Sequence, residues 1–152
     1  MDECERLIRE LDEARAHMRA VVDKIDVERE IYPGWTIRHV LAHVTGWDDA
    51  AIASLRAHAG GNEPATPAVR GIDHYNAESV ATREALDFER VVAEWEQARD
   101  QLKQTIRALP PEKLDEEMIL PWGGQSKVVP FIRVFINHEH EHADEITELM
   151  QQ

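Results

Sequence analysis

One cysteine, Cys4, is all the chain carries in 152 residues. That excludes an intramolecular disulfide and a CxxC zinc site, and a lone thiol so near the start reads as incidental rather than nucleophilic. Basic residues are scarce too, 17 against 30 acidic ones, for a formal net charge of -13. With no basic patch, the surface repels phosphate backbones and anionic headgroups alike, so neither nucleic acid nor membrane is an expected partner. No apolar run approaches transmembrane length, and the opening Met1-Asp2-Glu3 is unlike a signal peptide. These absences leave a soluble, cytoplasmic protein of one domain, residues 1–152, long enough to bury a real core.

What is there is helical periodicity. Leu7, Leu11, Ala14, Met18, Val21 and Ile25 alternate in steps of four and three, predicting a first helix from Asp2 to Ile25. Tyr32-Pro33-Gly34 marks a turn, and Thr36 is a suitable N-cap for a second helix. Its stripe is Ile37, Val40, Leu41, Val44, Ala51 and Leu55, and it ends near His58, before Gly60-Gly61. A loop follows to Gly71, then a weakly patterned short helix over Asp73–Glu84. The third long helix starts after Asp87, carries Phe88, Val91, Trp95, Ala98, Leu102, Ile106 and Leu109, and stops at Pro110-Pro111. Met118–Trp122 reads as a short extended segment before Gly123-Gly124, with no convincing strand set. The last helix runs over Phe131–Leu149, with Pro130 suited to a first turn and Phe131, Val134, Phe135, Ile146 and Leu149 on one apolar stripe. The prediction is an all-α four-helix bundle, with a connection between helices 2 and 3 long enough for a crossover.

The chemistry sits inside two of those stripes. His138 and His142, four residues apart, fall on the apolar face of the last helix, one above the other, while His140 faces solvent. Buried imidazoles need partners for their nitrogens, and a metal ion is one such partner. His43 lies on the shoulder of the second helix's stripe beside Val40 and Trp47; His39 is further round, towards solvent, and His17 reads as a surface residue. Three neutral imidazoles, His43, His138 and His142, would leave an open position, as in catalytic rather than structural zinc sites. The alternative stays open that they only hydrogen-bond to carboxylates such as Asp48 or Glu145. Asp48 falls near the middle of an apolar face and so needs a buried partner or a polar cavity.

His138-Glu139-His140-Glu141-His142 also matches the H-E-x-x-H pattern of zinc proteases. The short tail after His142 leaves little room for a downstream third ligand, and a strand-bearing substrate domain is missing, so that reading is set aside. Glu139 and Glu141 flank the stripe and are expected to be solvated, either being available as an outer partner for a ligand imidazole. Trp47 and Trp122 read first as core or surface anchors, with walling an apolar pocket above a metal as the second reading; Trp35 and Trp95 are assigned to packing.

The stretch from Trp35 to Trp47, with Thr36, Leu41 and His43 between, resembles the W-[ST]-x-x-x-x-L-x-H-x-x-x-W signature of DinB-like proteins. His138-Glu139-x-x-His142-x-x-x-Ile146 resembles their last-helix pattern, and the long connection and the Pro121-Trp122-Gly123-Gly124 turn occur in matching order. The resemblance implies an up-down-down-up bundle, often a homodimer, with a metal, usually zinc or nickel, on His43, His138 and His142. It further implies a metal-dependent enzyme acting on small electrophiles, most often a thiol S-transferase using a low-molecular-weight thiol such as bacillithiol, mycothiol or glutathione, with a mycothiol-dependent maleylpyruvate isomerase among the relatives. The alternatives it carries are a hydrolase like the colibactin self-resistance branch, which shares the Asp73-His74-Tyr75-Asn76-Ala77 type of stretch, or a metal-free metabolite-binding bundle. Where relatives often carry Arg-Gly-Gln after the last histidine, this chain has Ala143-Asp144-Glu145. The two added acids disfavour an anionic substrate.

Overall fold

The computed structural model describes residues 2–152. Helix α1 (Glu3–Val22) opens on Asp2, whose carboxylate accepts the Glu5 backbone N–H at 2.8 Å. Glu3 and Glu5 in its first turn and Arg19 in its last suit the helix dipole. It stops at Val22, short of the expected Ile25, which is nevertheless buried just beyond it. Helix α2 (Ile37–Gly60) starts after Thr36, whose backbone N–H donates to His39 Nδ1 at 3.0 Å. His39 therefore turns back to close the helix start rather than face solvent. Gly61, at φ +63°, ends the helix in the left-handed region.

Helix α3 (Ile72–Ala81) is the short crossover element, and it lies against α2. Tyr75 donates its hydroxyl to the Gly46 carbonyl at 2.6 Å. Gly46 permits the approach, because a Cβ there would stand 2.2 Å from Ser79 Oγ. Helix α4 (Phe88–Arg107) is capped by Asp87, which accepts the Arg90 N–H at 2.9 Å. After a single 3-10 turn, Pro111–Leu114, strands β1 (Glu117–Ile119) and β2 (Gln125–Lys127) form an antiparallel hairpin, Met118 opposite Ser126. The sequence predicts no such strand pair. β2 is a polar Gln-Ser-Lys segment with no apolar alternation to reveal it. Helix α5 (Val128–Met150) follows directly, with Pro130 in its first turn.

The pairings set the direction of each long helix. Along α1 and α5 the partners rise together, Glu10 with Arg133, Arg15 with Glu139, His17 with Asp144, so the two run parallel. Between α1 and α4 they run oppositely, Glu5 with Arg107, Asp12 with Lys103, Arg19 with Glu96. Helices α2 and α4 are parallel: Val40 and Val44 share a core cluster with Val91 and Trp95, and Ala51 and Leu55 share another with Leu102 and Ile106. The result is an all-α, up-down-down-up four-helix bundle whose crossover passes through α3. No helix among the described residues is long and apolar enough to cross a membrane.

A charged layer is built into the core, with one residue from each long helix. Arg15 Nε donates to Glu139 at 2.8 Å, and Arg99 bridges Asp48 at 3.0 Å and Glu139 at 3.1 Å. The arginines also donate to the carbonyls of Trp95 and Leu11, at 3.0 and 3.3 Å. Asp48 thus has the buried partner that its place on an apolar face required. Glu139, expected to be solvated, is 0% exposed. Both arginines lie on core seams, Arg15 beside Ala14 and Arg99 between Trp95 and Leu102, and hydrophobic counting passed over them.

Candidate metal centre

Antiparallel packing of α2 against α5 places His43 opposite the His138–His142 pair. His43 Nε2 lies 3.1 Å from His138 Nε2, and His142 Nε2 lies 2.9 Å from the same atom. One ligand nitrogen from each of the three lies within 4.8 Å of the others. The rings meet edge to face, with centroids 4.4 to 5.2 Å apart.

Burial decides their protonation. It pushes His43 down to about 3, with the neighbouring His138 and His142 adding to the fall and the nearby Asn76 side chain pulling the other way. His142 falls to about 4 for the same first reason, with His138 second and Glu145 opposing. His138 is also lowered by burial, against the pull of Glu141 and Glu139. All three are therefore neutral imidazoles at neutral pH.

The hydrogen bonds orient one of them outright. Tyr32 donates its hydroxyl to Glu145 at 2.5 Å, so its oxygen accepts from His142 Nδ1–H at 2.7 Å. With its proton on Nδ1, His142 presents a bare lone pair on Nε2. Burial, then the bond to Glu145 and its charge, raise the Tyr32 hydroxyl well above its usual value and keep it protonated. Three neutral rings cannot satisfy three converging nitrogens among themselves, because His138 can donate from Nε2 to only one of its two neighbours. His43 Nδ1 is buried without a hydrogen-bond partner. A divalent cation fits this donor set. Two imidazole nitrogens on a tetrahedral zinc ion stand roughly 3.3 Å apart, close to the two separations found.

The surroundings are aromatic. Trp47 packs against Trp122 at 6.0 Å and Phe135 at 6.4 Å, and a cavity of about 270 Å³ opens between these side chains, Val134, His43 and His138. Trp47 and Trp122 both line this cavity, and both also pack with the core, Trp47 as a buried member of it. Val134, counted as core, is 50% exposed and lines this cavity. Trp35, assigned to packing, does pack against the core, and it also stands 5.3 Å from the His43 ring and borders a second recess with Tyr32, His142 and Glu145. Trp95 is fully buried, with the Arg15 guanidinium 4.0 Å over its ring. Asp48 and Glu139 form no hydrogen bond to the histidines; they lie in the charged layer behind His138. Tyr32, Trp35 and Asn76 were missed as site residues. Tyr32 precedes Pro33-Gly34 and was absorbed into a turn, and Asn76 sits on a helix with almost no apolar pattern.

The other candidates stay apart from this centre. His17 Nδ1 meets His140 Nδ1 at 2.8 Å, and its Nε2 meets Asp144 at 3.3 Å, on the outer face of α1 and α5. Cys4 donates weakly to the Ile106 carbonyl at 3.8 Å. Its thiol is raised by burial and by Glu5 and Asp2, which suits an unreactive residue.

A family described as the mycothiol maleylpyruvate isomerase N-terminal domain matches residues 7–137. No curated protein matches the chain. Among solved structures, a mycothiol-dependent maleylpyruvate isomerase superposes with a TM-score of 0.78 at 16% identity, covering 95% of this chain and 61% of that one. The chain thus spans less than two thirds of the isomerase. YfiT from Bacillus subtilis, described as a probable metal-dependent hydrolase with an unusual four-helix bundle topology, gives 0.74 at 18% identity over 99% of this chain and 89% of its own. The colibactin self-resistance protein ClbS, in complex with a double-stranded DNA, gives 0.80 at 13% identity over 97% and 94%. At such identities the likeness is one of fold.

Proposed function

The chain belongs to the mycothiol maleylpyruvate isomerase N-terminal domain family, and from that premise we propose that it is a metal-dependent enzyme acting on small electrophilic molecules, with His43, His138 and His142 holding a divalent ion, zinc or nickel. The observation that carries the proposal is the convergence of three neutral imidazoles, 2.9 and 3.1 Å between Nε2 atoms, at the edge of an aromatic cavity. When bound, such an ion supplies Lewis acidity, acidifying a thiol or water that shares the site. A low-molecular-weight thiol is the nucleophile favoured for this chain, which makes the reaction a thiol S-transfer.

The chain's own residues supply the rest. Tyr32 and Glu145 hold the His142 proton on Nδ1, which keeps its Nε2 free. Burial keeps His43 unprotonated far below neutral pH. Trp47, Trp122 and Phe135 exclude water from one side of the site and leave an apolar bed for a substrate.

The test is elemental analysis of protein purified without a histidine tag, for wild type and His142→Ala. Near one divalent ion per chain, lost in the variant with helical content unchanged, is the expected outcome. Metal-loaded protein should then consume a low-molecular-weight thiol in the presence of a generic electrophile. No metal in the wild type after incubation with zinc and with nickel rejects the proposal.

A further inference from the structure

The space around the histidines is divided, and its charge has one sign. His43 and His138 border both the aromatic cavity and, on the other side, a recess of about 350 Å³ that ends at Glu145. A third depression, next to Trp35, has Asp73 and Glu84 on its rim. No lysine or arginine lines any of the three, and every charged residue that does is an acid. Arg38, the cation near that rim, is held by Glu84 at 3.0 Å and by the carbonyls of Arg83, Glu84 and Leu86. A carboxylate entering the aromatic cavity would lose its hydration with no side-chain cation to replace it, in a protein of net charge -13.

Asn76 is the polar residue common to all three spaces. Trp47 Nε1–H donates to its Oδ1 at 2.6 Å, which settles which end of the amide is oxygen and leaves the NH₂ group as its remaining donor, beside His43. A neutral hydrogen-bond acceptor beside apolar rings matches this arrangement. With about 270 Å³, the cavity lies near the small end of ligand sites, which run from roughly 300 to 1,000 Å³.

We propose that the aromatic cavity selects an uncharged ligand of one or two aromatic rings bearing a carbonyl-type acceptor, that the Asn76 amide positions this acceptor beside His43 and His138, and that the cavity rejects carboxylates. The inference deepens the function proposed above and rests on it for where reaction occurs, while the ligand selectivity belongs to the cavity itself. In an electrophile of this class, an acceptor held by Asn76 draws electron density from the carbon under attack.

Equilibrium dialysis with three probes of similar shape tests it: 2-acetylnaphthalene, 2-naphthoate and 2-ethylnaphthalene. Each is measured on zinc-incubated and on chelator-stripped protein, with zinc content determined on the same samples. The ketone should bind at least about tenfold more tightly than the carboxylate in the stripped form, where no bound cation can coordinate the carboxylate. Asn76→Asp keeps the acceptor for Trp47 and removes the donor. It should weaken the ketone by about fivefold to tenfold, the worth of roughly one hydrogen bond, and leave 2-ethylnaphthalene within about twofold. Trp122→Ala should weaken both neutral probes. Naphthoate binding as tightly as the ketone in the stripped form overturns the proposal, as does failure of every neutral probe to bind. Absence of zinc with the ranking intact rejects the metal reading alone; zinc taken up by the incubated protein, with the ranking reversed in the stripped form, rejects the cavity reading alone.

Discussion

Arg99 is the residue on which the buried charges turn. It is 2% exposed and bridges Asp48 on α2 to Glu139 on α5, while Arg15 approaches the same two acids from α1. Burial works against the charged form of Arg99, but Asp48 and Glu139 more than compensate and hold its pKa above the usual value. Burial likewise works against an ionised Glu139, and Arg99 and Arg15 overcome it, lowering its pKa. Two acids and two bases cancel. Replacing Arg99 with leucine leaves two buried carboxylates with one cation, so a loss of about 3–5 kcal/mol is expected in guanidinium unfolding. A loss below about 1 kcal/mol would show that water reaches the layer. The layer also explains why Glu139 is no general base of an H-E-x-x-H protease: it is fully buried and bonded to two arginines.

At the scale of elements, α3 carries a wall of the site without belonging to the bundle. It brings Ile72 and Asn76 to the cavity because Ser79 and Tyr75 seat on α2 at Gly46. Gly to Ala within a helix normally stabilises by about 1 kcal/mol. At Gly46 the sign should reverse. The added Cβ would lie 2.2 Å from Ser79 Oγ and 2.5 Å from Ser79 Cβ, so α3 must move. Gly46→Ala is expected to cost about 1–3 kcal/mol and to weaken ligand binding in the cavity. Adding Ser79→Gly should restore both. Urea unfolding of the single and double variants checks it, and an unrescued double variant would place the strain elsewhere.

For the whole molecule, the histidine centre links stability to pH in metal-free protein. His43 and His142 have pKa values of about 3 and about 4 in the folded chain, against roughly 6.5 when unfolded. Above pH 6.5 neither state holds these protons and the two residues contribute nothing to the slope. Below it the unfolded chain binds them and the folded chain does not, so stability falls as pH drops, by about 2 kcal/mol per histidine at pH 5. The fall continues until the folded values are reached. Easing of the acidic surface charge acts in the opposite direction, so the clean measurement is a difference. In urea unfolding at pH 8 and pH 5 with chelator present, His43→Gln should lose about 2 kcal/mol less than wild type. Equal losses would mean that the His43 ring is protonated in the fold.

The four long helices, their stripes, the crossover and the three convergent histidines were legible in the chain, because an apolar face of period 3.6 records burial one residue at a time. A histidine pair four apart on such a face announces itself, and so does Asp48, as a charge where none should be. The partners of Asp48 were not legible. Arg15 and Arg99 carry no signal of their own until the bundle sets them against Asp48 and Glu139, 33 and 40 residues distant from their nearer acids. Tyr32 and Asn76 were hidden for the same reason: they come from a turn and a patternless crossover, and no local period ties them to His43, whereas Trp35 shares the signature with His43 and yet reads as packing. Sequence alone determined the long helices, most of their buried stripes and the histidines set on them. Tertiary structure alone decided which polar groups meet across those faces, because such meetings are set by the packing angle and direction of whole helices.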